Sequence, residues 1–123
     1  MILVDTSIWI DHFRQTDLIL EALIDRDDVL THPFVIGEVA MGRMRQRELI
    51  LADMRGLPHA VSAMDEEVLD FVQDNSLFGL GIGYVDAHLL AATRLTLGTA
   101  LWTRDKRLDA AAQRLSLAAR VVN

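Results

Sequence analysis

Four carboxylates stand where their neighbours predict something else. Asp5 ends the apolar run Ile2, Leu3, Val4 and precedes Thr6, Ser7 and a second run, Ile8, Trp9, Ile10. The first run has the β-forming character of a buried strand, and the second opens a helix behind a hydroxyl cap. Asp5 therefore falls at the carboxyl end of a strand, where open α/β sheets bind ligands. By itself it reads equally well as a helix cap. Asp105 follows the apolar stretch "ALWT" (100–103) in the same way. Glu38 lies three or four residues from Phe34, Val35, Met41 and Gly42, which turns it onto an apolar helix face, where an unpaired charge is costly. Asp86 repeats the pattern among Ile82, Gly83, Leu89 and Leu90. It also lies in the first turn of its helix, where the dipole favours an anion by about 0.3–1 kcal/mol.

One such acid is a cap or half of an ion pair. Four that converge repel one another, and the usual relief is a divalent cation. The chain has no cysteine, which excludes thiolate zinc sites, disulfides and cysteine nucleophiles. Ligation by oxygen alone points to a hard ion, Mg²⁺ or Mn²⁺. Mg²⁺ keeps waters and binds through a few carboxylates plus substrate phosphate oxygens, so phosphodiester or phosphoryl chemistry is its natural use.

The elements that must position these acids follow from the patterning. Ile2–Val4 is a strand, a helix begins at Ser7, and another runs from Asp17 to Asp25. "VLTHP" (29–33) is a short strand ended by Pro33, a residue favoured at the first helical position. A helix from Phe34 to about Met44 follows, then one from Arg45 to about Arg55 that stops at Gly56 and Pro58. "HAVSA" (59–63) is a weak strand candidate. Asp65, Glu66 and Glu67 open a helix that ends near Asp74, and "NSLFGLGIG" (75–83) is a glycine-rich loop. Tyr84 to Leu97 is helical and closes at Gly98; "ALWT" is a buried strand, 105–115 a helix and "ARVV" (119–122) a last strand. Strands alternating with helices imply βαβ units and a mainly parallel sheet covered on both faces. No repeat, low-complexity segment or linker interrupts the 123 residues, which are read as a single domain, 1–123.

Apolar residues make up 51% of the chain and mean hydropathy is +0.23, high for a soluble domain, yet no run approaches the roughly 18 residues of a membrane span. The first residues lack the basic region and cleavage site of a signal peptide, so a cytoplasmic protein is expected. The net charge of −6 argues mildly against nucleic-acid binding, but the charge is segregated. Residues 1–42 carry two basic and eight acidic side chains and residues 56–93 none and six, whereas 94–123 carry six basic against Asp105 and Asp109. An acidic centre with basic flanks fits this, as do ordinary solvated helix faces.

The stretches "VDTSIWID", "FVIGEVAMG", "GIGYVDAHLLAAT" and "LWTRDKRL", in this order and spacing, resemble the PIN-domain family and, more closely, the VapC-type toxins of bacterial toxin–antitoxin pairs. The resemblance covers essentially the whole chain, and no motif position departs from it. It implies a PIN-like three-layer α/β/α sandwich and an endoribonuclease dependent on Mg²⁺ or Mn²⁺. Its acidic metal site falls on Asp5, Glu38, Asp86 and Asp105. The family's hydroxyl after the first aspartate matches Thr6 or Ser7, and the one before the last matches Thr103; these would hydrogen-bond ligands or phosphate. An RNA substrate, a VapB-like antitoxin and a homodimer are implied as well.

Other residues carry weaker signals. Arg43, Arg45 and Arg104 are candidate RNA contacts, although Arg43, Arg45 and Arg47 alternate and cannot share one helix face. Nothing pairs His12, His32, His59 or His88 into a site, and "GLGIG" lacks the setting and lysine of a phosphate cradle. It reads instead as a loop that brings Asp86 in. Trp9 and Trp102 read as core rather than as base-stacking groups. Asp109, four residues after Asp105, reads as surface. Phe13, Leu18, Leu20 and Leu23, with Ile50, Leu51 and Met54, exceed what one core needs and would line a groove for an amphipathic partner helix. Two other functions compete. One is a non-catalytic binding module. The other is an aspartate-based phosphotransferase, disfavoured because Ser7 stands where a phosphatase of that type needs a second aspartate, and the only lysine, Lys106, adjoins Asp105.

Overall fold

A computed structural model describes residues 1–121. Its strands are β1 (Ile2–Val4), β2 (Val29–Leu30) and β3 (Ala100–Trp102), all parallel, in the order β2-β1-β3. Leu3 and Val4 are both 0% exposed, and Leu101 and Trp102 are buried too. Successive strand side chains point to opposite faces, so both faces of the sheet are covered. The helices that cover it are α1 (Thr6–Arg14), α2 (Leu18–Asp25), α3 (Pro33–Ala40), α4 (Arg47–Arg55), α5 (Asp65–Asp74), α6 (Tyr84–Leu95) and α7 (Lys106–Arg114). The parallel sheet within an α/β PIN-like fold is as the sequence predicts. Within α6 every residue from Ala87 to Thr93 is buried, which makes it the most enclosed helix of the described residues. None of the helices is long and apolar enough to cross a membrane.

The chain leaves β1 for β2 on one side and later returns to β3 on the other. This reversal makes the carboxyl ends of β1 and β3 a switch point, with a crevice outside the strand ends. Register sets the two ends level: Val4 pairs with Trp102, and the Asp5 amide donates to the Trp102 carbonyl at 2.9 Å.

Several boundaries differ from the sequence reading. The helix expected to reach Met44 stops at Ala40, whose carbonyl is taken by the Arg47 guanidinium at 2.9 Å, and α4 begins only at Arg47. "HAVSA" supplies no strand, only a parallel bridge from His59 to Thr31, because the Val61 amide is drawn off to the Thr96 hydroxyl. Thr96, with its hydroxyl donating to Ala92 as well, also ends α6 two residues early. Among the described residues 119–121 form no strand; Ala118, just before them, bridges to Leu101, and Val122 lies outside the described residues.

Candidate active site

Asp5 occupies the N-cap position of α1 but makes no side-chain cap bond. Its carboxylate, 6% exposed, turns instead to two hydroxyls: Thr103 donates to Oδ2 at 2.7 Å and Ser7 donates to the same oxygen at 2.8 Å. The two hydroxyls stand 3.4 Å apart. The Arg104 amide donates to Ser7 Oγ at 3.1 Å, and the Asp105 amide donates to Thr103 Oγ1 at 3.0 Å. The backbone after β3 thus orients the hydroxyls that orient Asp5. Both sequence-derived positions for the first hydroxyl are used, since Thr6 donates to Glu38 Oε1 at 2.6 Å.

Glu38 departs from its expected setting. The buried stripe of α3 is Val35 and Val39, whereas Phe34 is 39% and Met41 88% exposed, so Glu38 is exposed beside an apolar surface strip. Of the four neighbours that spacing gives Glu38, only Val35 is buried; Phe34, Met41 and Gly42 face outward. Asp86 is half-buried, above Leu89 and Leu90 in the core, and its Oδ2 accepts from the Gly83 amide at 3.0 Å. Burial raises its pKa; the Gly83 bond works against this, and the charges of Asp5, Asp105 and Glu38 add to the rise. The four acids are therefore electrostatic neighbours. Asp105 caps α7, its Oδ1 accepting from the Arg107 and Leu108 amides at 2.9 and 3.0 Å. Each acid is held by its own local hydrogen bond, and among the described residues no three His, Cys, Asp or Glu side chains stand in position to share one ion. Asp109 bonds Gln113, away from the acids.

Arg104, expected among RNA contacts, has its guanidinium committed to Asp11 of α1 at 3.0 Å and to Asp17 at the cap of α2. Burial opposes the charge of Asp17, but the Leu20 and Ile19 amides and Arg104 outweigh it and its pKa is lowered. Arg43 and Arg45 lie in the α3–α4 turn, with Arg14, around a groove floored by Phe13, Val39 and Ile50. The histidines stay outside the acidic crevice. His12 accepts from the Asp17 amide, His32 from the Phe34 amide, His59 pairs with the Arg55 carbonyl and His88 with Asp65. Tyr84 also donates to Asp65, at 2.6 Å, which fastens the start of α6 to α5 two residues before Asp86. No sequence signal pointed to that clamp. Trp9 and Trp102 are buried, as core residues should be. Of the apolar surplus, Leu20, Leu23, Leu51 and Met54 are buried and Leu18 is 74% exposed, while Phe13 and Ile50 line a second groove of about 410 Å³ with Trp9, Ile24 and Leu57.

Comparison with known proteins identifies the family. The PIN-domain family model matches residues 2–114. Ribonuclease VapC32 of Mycobacterium tuberculosis, from strain CDC 1551 / Oshkosh and from strain ATCC 25618 / H37Rv, is 46% identical over 111 residues, 90% of either chain. With a parallel sheet whose strand ends bear Asp5 and Asp105, and with Glu38 and Asp86 coupled to them, the chain belongs to the PIN-domain family.

Proposed function

We propose that the protein is a metal-dependent endoribonuclease and the toxin of a toxin–antitoxin pair, acting in the cytoplasm as one domain. The observation that carries this reading is Asp5: a buried carboxylate at a helix cap that leaves the cap unmade and is held by Ser7 and Thr103 among three other acids. A residue kept for stability would use the amides beside it.

The donor set fits Mg²⁺ or Mn²⁺. It is all oxygen, and Asp86 carries a repulsion that a cation would relieve. Asp5, Glu38 and Asp86 would hold the ion, with Asp105 completing the site once these side chains turn from their present partners. When bound, such an ion neutralises phosphate oxygens and lowers the pKa of a coordinated water. The chain's own share is orientation. Ser7 and Thr103 fix the Asp5 carboxylate, Thr6 holds one Glu38 oxygen, and the Gly83 amide steadies Asp86, in the manner of hydroxyls and amides behind metal-binding carboxylates. VapC32 is named as a ribonuclease, which supports RNA rather than a phosphorylated small molecule as substrate.

An uncontrolled cytoplasmic ribonuclease needs a restraint, and a VapB-like antitoxin is the proposed partner. The groove lined by Trp9, Phe13, Ile24, Ile50 and Leu57 suits an amphipathic helix, and a homodimer would cover other apolar surface. The test is induced expression in a bacterial host, wild type beside Asp5→Ala, with mapping of RNA ends. New ends in the wild type alone are expected. Purified chain should lose cleavage in EDTA and regain it with Mg²⁺ or Mn²⁺; undiminished cleavage in excess EDTA, from a preparation freed of contaminating nuclease, overturns the metal assignment.

A further inference from the structure

The glycine-rich loop between Asn75 and Gly83 is bound along helix α7 at two points. Arg114 donates to the Asn75 carbonyl at 2.7 Å and to the Ser76 carbonyl at 3.3 Å. Seven residues earlier, and so on the same helix face, Arg107 lies flat on Gly81. A Cβ at Gly81 would sit 3.0 Å from the Arg107 Cδ and collide with its guanidinium. Gly81 has φ +77°, a conformation that also favours glycine. Between these two fastenings the loop presents Phe78, 62% exposed, and Leu80, 37% exposed. Beyond them it runs into Gly83, whose amide holds Asp86, while the Arg107 amide holds Asp105. Loop and helix start therefore join two of the four acids.

Two groups of this corner are exposed and lack a polar or apolar partner that accounts for them. The Arg107 guanidinium, exposed beside the loop that leads to Asp86, forms no hydrogen bond or ion pair among the described residues, whereas Arg104 and Arg114, on either side of it in sequence, are committed to protein acceptors. Phe78 is a large aromatic left mostly in solvent. A polyanion approaching four carboxylates needs a cation at their rim, and Arg107 supplies one with all its guanidinium donors free.

From this we propose, resting on the nuclease reading above, that Arg107 and Phe78 form the substrate-strand contact of the site: Arg107 binds a phosphate of single-stranded RNA, and Phe78 stacks on an unpaired base beside the cut. Planar guanidinium donors match phosphate oxygens, and unpaired bases stack on exposed aromatics in proteins that bind single strands. Gly81 is the position that lets Arg107 reach across the loop.

The test measures binding of a short fluorescein-labelled single-stranded RNA of mixed sequence, with Mg²⁺, in an Asp5→Asn background that does not cut it. Adding Phe78→Ala weakens binding at least about fivefold, and Phe78→Trp restores it. Adding Arg107→Gln weakens it about fivefold near 0.1 M salt and lowers the slope of log K against log salt by about 0.7, the loss of one single-strand phosphate contact. Circular dichroism of each variant establishes that it is folded. Binding unchanged in both variants, with the Asp5→Asn parent still bound to RNA, overturns this inference and leaves the nuclease reading intact. So does a Phe78→Ala effect confined to self-association or antitoxin binding. A wild type that neither binds nor cleaves RNA with Mg²⁺ overturns the nuclease reading as well.

Discussion

All three strands of the sheet deliver the chain to the N-cap of a helix, and the three caps are made differently. After β2, His32 caps α3 with its ring Nδ1, accepting from the Phe34 amide at 3.0 Å. After β3, Asp105 caps α7 with two amide bonds. After β1, Asp5 holds the same position and its carbonyl accepts from the Ile8 amide, but its side chain makes no cap bond; its carboxylate belongs to Ser7 and Thr103. A side-chain cap contributes about 0.5–2 kcal/mol, so α1 forgoes stabilisation that its neighbours use. A helix end that forgoes an available cap, at the switch point of a parallel sheet, supports the role in metal binding proposed for Asp5.

The largest effect that sharpens this contrast is at Asp5 itself. Asp5→Asn should reduce RNA cleavage to background, yet leave the metal-free melting temperature at or above that of the wild type. The amide oxygen can still accept both hydroxyls, while one charge leaves the acid cluster. Asp86→Asn should behave alike. A drop of several degrees in both would mean that the acids serve the fold.

The cap at His32 should reveal itself through pH. Burial lowers its pKa from 6.5 to about 4, and the charges of His88 and His59 add to this. The unfolded chain then binds the extra proton between these values, so stability rises with pH across the window. The contribution is complete above about pH 6.5 and declines as pH falls through about 4, by at most about 3 kcal/mol. His32→Asn keeps an acceptor for the Phe34 amide and removes the titration. Its unfolding free energy by urea should lose that slope between pH 7 and pH 4, and parallel profiles for the two proteins would refute the assignment.

Thr103→Val removes the shorter of the two hydroxyl bonds to Asp5 while conserving shape. Cleavage should fall about 10–100-fold, the usual cost of losing a group that orients a metal ligand, with only a small change in melting temperature. Asp105→Ala should cost the fold about 1 kcal/mol, the worth of its cap. Asp5→Ala should cost less than this. Equal losses would erase the difference between the two turns.

Much of this was legible in residue order. The runs before Asp5 and Asp105 identified strands that the sheet pairs side by side, and Thr6, Ser7 and Thr103 all proved to hydrogen-bond acids of the site or to support them. Glu38 was found for a reason that did not hold, because helical spacing says which residues share a face but not whether that face is covered. Arg104, a candidate RNA contact in the sequence, gives its guanidinium to Asp11 and Asp17, which lie about ninety residues away in sequence. The strand candidate at 59–63 shrank to a bridge at His59, and among the described residues 119–121 form no strand, the bridge to Leu101 lying one residue earlier at Ala118.

By itself the sequence determined the alternation of strands and helices, the glycine loop before Asp86, and the strand-end positions of Asp5 and Asp105. Apolar periodicity, capping and the cost of misplaced charge are local properties, readable within a few residues. Only the tertiary structure decided that Asp5 leaves its cap unmade while Asp105 uses one, that Arg104 is occupied, and that Arg107 lies across Gly81. Each of those depends on groups far apart in the chain. Whether a polar group is spent or available is set by the neighbours that packing supplies, and local pattern carries no record of them.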